Sequence, residues 1–203
     1  MPMESMNGRR LGPGGLTLNM TRSQFNSTLR AAITAVPHAI GLNNHMGSLL
    51  TRHPGHMDWL MNELKEHDIS YFIDSRTTHQ TVALQLAKEH QVPSRKRDVF
   101  LDDDPSKEAV EKQFQRLIRV AKKHGGAIAI GHPYETTLTA LEKHIPRLHE
   151  YGLVLVAASK MIYKPDIKTT PTRRLAEQTS PSPLANTSLV FNTQNQPATD
   201  TKQ

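Results

Sequence analysis

Short apolar runs recur along this chain at intervals near 30 residues, with stretches of helical periodicity between them. The runs are Ala39-Ile40-Gly41-Leu42, Ile69-Ser70-Tyr71-Phe72-Ile73, Val99-Phe100-Leu101, Ala127-Ile128-Ala129-Ile130 and Leu153-Val154-Leu155-Val156. Each has the length and composition of a strand buried on both faces. A strand, helix, strand order at this spacing calls for right-handed crossovers and a parallel sheet, so the fold class is α/β. Periodicity leaves open whether the sheet is an open doubly wound one or a (β/α) barrel.

The intervening helices can be read from their apolar stripes. Met57, Leu60, Met61 and Leu64 share a face, as do Val82, Ala83, Leu86 and Ala87. Val110, Phe114, Leu117, Ile118 and Ala121 form the clearest stripe, and Leu138, Leu141, Ile145 and Leu148 form the last. A further helix carrying Phe25, Leu29 and Ile33 precedes the first strand and opens with the capping box Thr21-x-x-Gln24. Pro105-Ser106 opens the third striped helix, and Gly125-Gly126 closes it with the left-handed residue a helix end favours.

Composition narrows the function. With no cysteine there is no disulfide framework and no thiolate metal site, so any metal must be held by His, Asp or Glu. The net charge of +6 is diffuse, and one Trp, four Tyr and five Phe are too scattered for a stacking platform, so no nucleic acid partner is expected. No apolar run reaches transmembrane length, and the first residues lack the apolar core of a signal peptide. Residues 164–203 differ in kind: 23 of these 40 are Pro, Thr, Ser, Asn or Gln. Such a segment buries too little to offset its ordering entropy, and a disordered tail is expected there. The expected organisation is one domain over 1–163 followed by that tail.

In either α/β architecture the functional rim lies at the carboxyl ends of the strands. Four strands are followed there by polar sets: Asn43-Asn44-His45-Met46-Gly47-Ser48, Asp74-Ser75-Arg76-Thr77, Asp102-Asp103-Asp104 and Gly131-His132-Pro133. Two histidines, an aspartate and an arginine at corresponding strand ends fit a site better than scattered surface polarity does. Asp102, nearest its strand, joins them, whereas Asp103 and Asp104 suit the positive end of the following helix. Arg97 and Asp98 precede their strand and are read as structural. His53-Pro54-Gly55-His56 starts a helix with Pro54 at a favoured first position and is read as surface. No phosphate-cradling glycine motif follows a strand, and no GxSxG elbow occurs.

Taken together, Gly41-Leu42-Asn43-Asn44-His45-Met46-Gly47-Ser48, Phe72-Ile73-Asp74-Ser75-Arg76-Thr77, Arg97-Asp98-Val99-Phe100-Leu101-Asp102 and Ile128-Ala129-Ile130-Gly131-His132-Pro133 resemble the divergent polysaccharide deacetylase family. The similarity runs from about Met1 to Ser159. The resemblance implies a distorted (β/α) barrel of the NodB type, export to the periplasm or bacterial cell envelope, and a role in carbohydrate metabolism. It also implies a hydrolase that removes acetyl groups from a glycan with a divalent metal, commonly zinc. On that template a metal-bound water loses a proton to a carboxylate and attacks the acetyl carbonyl, the metal stabilises the oxyanion, and a histidine protonates the leaving group. The roles implied are His45 as metal ligand, His132 as catalytic acid, Asp74 and Arg76 as the groups orienting it or the base, Asn44 as binding substrate or bracing His45, and Asp102 as substrate-binding.

The family pattern also has opening strands, with an Asp-Asp pair and a histidine ahead of a Pro-Met-Glu stretch, while this chain starts at Met1-Pro2-Met3-Glu4. The expectation is therefore an N-terminally truncated barrel of about five parallel strands. His45 alone remains of three implied ligands, so the metal is held weakly or not at all. An exposed sheet edge offers a route to self-association. Two functions follow: a polysaccharide deacetylase, or a non-catalytic glycan-binding or envelope-associated protein on the same fold.

Overall fold

A computed structural model describes residues 1–163 of the chain, so the expected tail at 164–203 lies outside the described residues. The described part contains two compact units, one running from Met1 to Arg97 and one beginning at Asp98.

The first unit contains, in order, β1 (Pro2–Met3), α1 (Arg22–Thr34), β2 (Gly41–Asn43), β3 (His45–Met46), α2 (Pro54–Glu66), β4 (Tyr71–Asp74), α3 (Ala83–Glu89) and β5 (Ser94–Lys96). All pairing is parallel. β1 pairs with β3, and β2, β4 and β5 form a sheet in the order β2-β4-β5, with Leu42 opposite Phe72 and Phe72 opposite Ser94. The Tyr71 ring lies over Gly41, where a Cβ would require the ring to shift. The expected capping box opens α1: Thr21 accepts the Gln24 N–H, and the Gln24 side chain accepts the Thr21 N–H at 2.9 Å. Pro54 takes the first turn of α2. The helices bury the stripes read from the sequence, and Phe25, Leu29, Met57, Leu60, Leu64 and Phe72 are fully enclosed.

One charge lies inside this apolar contact. Glu63 is 1% exposed on α2 and receives Arg30 Nε and a terminal guanidinium nitrogen from α1 at 2.8 and 3.0 Å. The guanidinium bonds hold its carboxyl below the usual range, against the upward push of burial. Loss of Arg30 would leave a buried carboxylate without this partner, so this pair fixes the facing of α1 and α2.

The second unit contains β6 (Val99–Phe100), α4 (Lys107–His124), β7 (Ala129–Ile130), α5 (Glu135–His144), a 3-10 segment (Ile145–Tyr151) and α6 (Ala158–Ile162). β6 and β7 are parallel, with Val99 opposite Ala129. α4 ends at Gly125 with φ 69°, the left-handed C-cap expected of the Gly-Gly pair. Phe114, Leu117, Ile118 and Ala121 pack with Val99, Leu101, Ala129 and Leu141. His144 is buried, stacks on Phe114 at 4.3 Å between ring centres, and reaches Glu111 across the α4–α5 contact at 2.8 Å.

Three sequence expectations change. Leu153–Val156 forms no strand: after Gly152 in the left-handed conformation, the Leu153 N–H turns back to the Leu148 carbonyl, and Leu155 is 42% exposed. Conversely, β5 is the polar segment Ser94-Arg95-Lys96, which carries no apolar signal yet pairs with β4. Leu138 leaves the α5 stripe and stands 47% exposed. The seven described strands fall into three parallel sheets, and the architecture is parallel α/β.

Two substitutions on α5 test this packing. Leu141→Ala should destabilise the chain by about 2–5 kcal/mol, whereas Leu138→Ala should stay within about 0.5 kcal/mol of the parent. Chemical denaturation followed by circular dichroism reads both.

Candidate functional site

The short strands make few ladder bonds, and side chains at their ends supply others. In the first unit, Asn44 is fully buried: its Oδ1 accepts the Ser75 N–H at 2.8 Å and its Nδ2 donates to the Met46 carbonyl at 2.9 Å. The Ser75 hydroxyl donates to the Asn44 carbonyl and accepts from Asn43 Nδ2, which also reaches the Ile73 carbonyl at 2.8 Å. Both ends of the Asn44 amide are thus spent on the backbone of β3 and of the β4 exit, which braces the His45 turn. His45 itself lies on β3, partly exposed, in register with Pro2, and its N–H donates to the Met1 carbonyl at 2.8 Å.

Asp74 ends β4 with its side chain fully enclosed. One oxygen accepts the Arg76 N–H at 2.8 Å, and the other accepts the Thr81 hydroxyl at 2.9 Å. Burial pushes its carboxyl above the ordinary value of 3.8, against the opposing pull of those two hydrogen bonds and of the Arg76 and Arg97 charges. Arg97 clasps the same turn from below: Nε donates to the Ser75 carbonyl and a terminal nitrogen donates to the Arg76 carbonyl. Two non-glycine residues on this rim are left-handed, Met46 at φ 56° and Arg76 at φ 49°. Such a conformation costs roughly 1–2 kcal/mol, which the surrounding hydrogen bonds must offset.

The second unit carries a carboxylate–imidazole pair. Asp102, 3% exposed just beyond β6, lies with Oδ1 2.9 Å from His132 Nδ1, just beyond β7. Its other oxygen accepts the His132 N–H and, at 2.8 Å, the hydroxyl of buried Thr137 on α5. With a carboxylate as acceptor, Nδ1 bears the proton and the imidazole tautomer is set. The ring has Phe100 at 5.6 Å and Tyr134 at 5.5 Å between centres. Gly131 makes room for this approach, since a Cβ there would meet Asp102 Oδ2 at 3.1 Å and Thr137 Cγ2 at 3.2 Å.

The structure therefore groups the six expected residues as Asn44, His45, Asp74 and Arg76 in the first unit and Asp102 and His132 in the second. It places Asp102 against His132, where both oxygens are used within the protein. Thr137, Thr81 and Arg97 complete these networks. Nothing in the sequence marks Thr137, a single hydroxyl on a helix; Arg97 and Asp98 are structural as expected, with Asp98 Oδ2 accepting the Ile128 N–H at 2.8 Å. His56 is more than a surface residue, being partly buried against Trp59 at 4.6 Å between ring centres and within 3.1 Å of the Leu18 carbonyl.

Among the described residues, three His, Asp or Glu groups close enough to share an ion occur at Glu63, Glu66 and His67, and His45 is not one of them. Arg30 already occupies both Glu63 oxygens. The described residues do not supply the three-donor site that the resemblance implies around His45.

Residues 1–162 match the model of the divergent polysaccharide deacetylase family, and the chain belongs to that family. It is 43% identical over 150 residues to an uncharacterized protein of Haemophilus influenzae, covering 74% of this chain and 53% of that one. Over 190 residues it is 33% identical to the uncharacterized protein YibQ of Escherichia coli K12, covering 93% of this chain and 59% of that one. The chain thus spans a little over half the length of these curated relatives. An uncharacterized protein of Agrobacterium tumefaciens C58, whose crystal structure is solved, shares the fold with a TM-score of 0.75 at 20% identity, covering 79% of this chain and 66% of that one.

The raised Asp74 carboxyl gives a pH signature. The folded chain holds this proton more tightly than the unfolded one, so its contribution to stability is present below about pH 4 and is lost as pH rises through the raised folded value. Asp74→Asn keeps an acceptor for the Arg76 N–H and should remove this component. Unfolding free energies measured from pH 3 to 8 should fall less steeply in the variant, by about 1.4 kcal/mol for each unit of pKa shift removed.

Proposed function

We propose that this chain carries the acid–base chemistry of glycan deacetylation, with His132 as the catalytic residue and Asp102 as its positioning partner. The observation that supports this most is the Asp102–His132 pair at the ends of adjacent parallel strands, in a chain of this family. A buried carboxylate on Nδ1 sets the ring and stabilises the imidazolium that forms during proton transfer. In the hydrolysis, neutral His132 takes a proton from water as the water oxygen bonds to the acetyl carbon. It then returns that proton to the sugar nitrogen or oxygen as the bond to the acetyl group breaks, giving acetate and the free amine or hydroxyl. Thr137 holds the second Asp102 oxygen, so the carboxylate cannot swing from the ring. No step is routed through a metal, because the described residues leave His45 without a three-donor set. On this reading the reaction belongs to the cell envelope, where acetylated polysaccharide is found.

A second reading has its own support. The lack of that donor set among the described residues suits a protein that binds glycan on this rim without cleaving it.

Acetate release from an acetylated oligosaccharide separates the two. Under the first reading the intact chain releases acetate and His132→Ala abolishes the release. Asp102→Asn should lower the rate by about 10²–10⁴-fold through the wrong tautomer. Glycan binding without acetate, unchanged by His132→Ala, would sink the catalytic reading and support the second.

A further inference from the structure

The β4–β5 end of the first unit concentrates positive charge. Lys96 stands opposite Asp74 in the β4–β5 register, Arg95 stands opposite Ile73, and Arg97 and Arg76 lie on the turns just beyond. The acids within the same stretches are Asp74, which is buried, and Asp98, whose Oδ2 is bonded to the Ile128 N–H. Over residues 1–97 as a whole, 11 Lys and Arg face 7 Asp and Glu, an excess of 4.

Arg76 is the distinctive member. Its backbone is left-handed, with the N–H fixed by Asp74 and the carbonyl fixed by Arg97. One arginine is thus spent on holding another in a conformation that an ordinary side chain resists. Yet the Arg76 guanidinium, partly buried on this rim, makes no hydrogen bond or ion pair among the described residues; its charge acts on Asp74 from beyond ion-pair distance. A guanidinium is a planar fork of donors that matches an oxyanion in two parallel bonds. Clamped strain beside a guanidinium fork that makes no hydrogen bond among the described residues points to a ligand.

We propose that Arg76 is a specificity-determining residue that receives an oxyanion of the glycan, so that this rim takes an acidic polysaccharide in preference to a neutral one. The inference rests on the glycan reading above but not on catalysis. A uronate carboxylate and a phosphate substituent offer the same paired oxygens to this fork.

Calorimetric titration of the intact chain tests it with three oligosaccharides of equal length: one containing glucuronate, one bearing phosphate and one of neutral N-acetylglucosamine. At least one acidic ligand should bind about tenfold or more tightly than the neutral one, as a charged, paired hydrogen bond would give, and which of the two does so identifies the source of the oxyanion. Arg76→Gln should erase that preference. Arg76→Gly should erase it too while keeping or raising the thermal midpoint, because glycine accepts the left-handed backbone; a merely structural Arg76 would instead lower the midpoint. Equal binding of all three ligands, or a preference that survives Arg76→Gln, overturns the inference. Equal binding with acetate release overturns it while leaving deacetylation standing, whereas acid preference without acetate release supports it and counts against deacetylation. No binding of any of the three overturns it along with the glycan reading.

Discussion

Strands of two to four residues cannot hold a parallel fold by their ladders alone, and the structure depends on buried and half-buried side chains that capture backbone N–H groups at the strand ends. Asn44 takes the N–H of Ser75, Asp98 that of Ile128, and Asp102 that of His132. The separations are 31, 30 and 30 residues, the length of one strand-plus-helix repeat. Each such bond joins a strand end to the neighbouring strand one repeat later. A buried N–H left without an acceptor costs about 1–3 kcal/mol, so these polar residues carry a share of the fold usually assigned to the sheet itself.

The same economy builds the candidate chemistry. Asp102 captures a backbone N–H with one oxygen and orients an imidazole with the other, and Asp74 fixes the strained Arg76 turn while shielding its own charge from water. Family membership and the solved neighbour agree with the α/β fold, and the long apolar stripes of α2 and α4 back the short strands. The aromatic contacts of His132 with Phe100 and Tyr134 give the ring an apolar surround.

Much of this was legible in the residues, and the exceptions have physical causes. The Thr21 box, Pro54 at the start of α2 and Gly125 at the end of α4 are local devices, and each appears where its chemistry places it. β5 was invisible because Ser94-Arg95-Lys96 is a strand by virtue of its neighbour β4 and not of its own composition. Leu153–Val156 has the composition of a strand, but Gly152 commits the next N–H to closing the preceding 3-10 segment. The rim residues could be identified as a set from their positions after apolar runs. Which of them touch could not, because the Asp102–His132 bond joins residues 30 apart, and Thr137 enters only through the packing of α5.

Asp102 illustrates what such double duty means for inheritance. Under the proposed function, a residue that both fastens the scaffold and orients the His132 ring cannot drift in one capacity while being preserved in the other. A relative without the proposed reaction would still be selected to keep an acid at this position, so its presence alone is a poor marker of activity. Tyr134, whose side chain makes no hydrogen bond among the described residues, is free to change with the chemistry and is the more informative neighbour to follow.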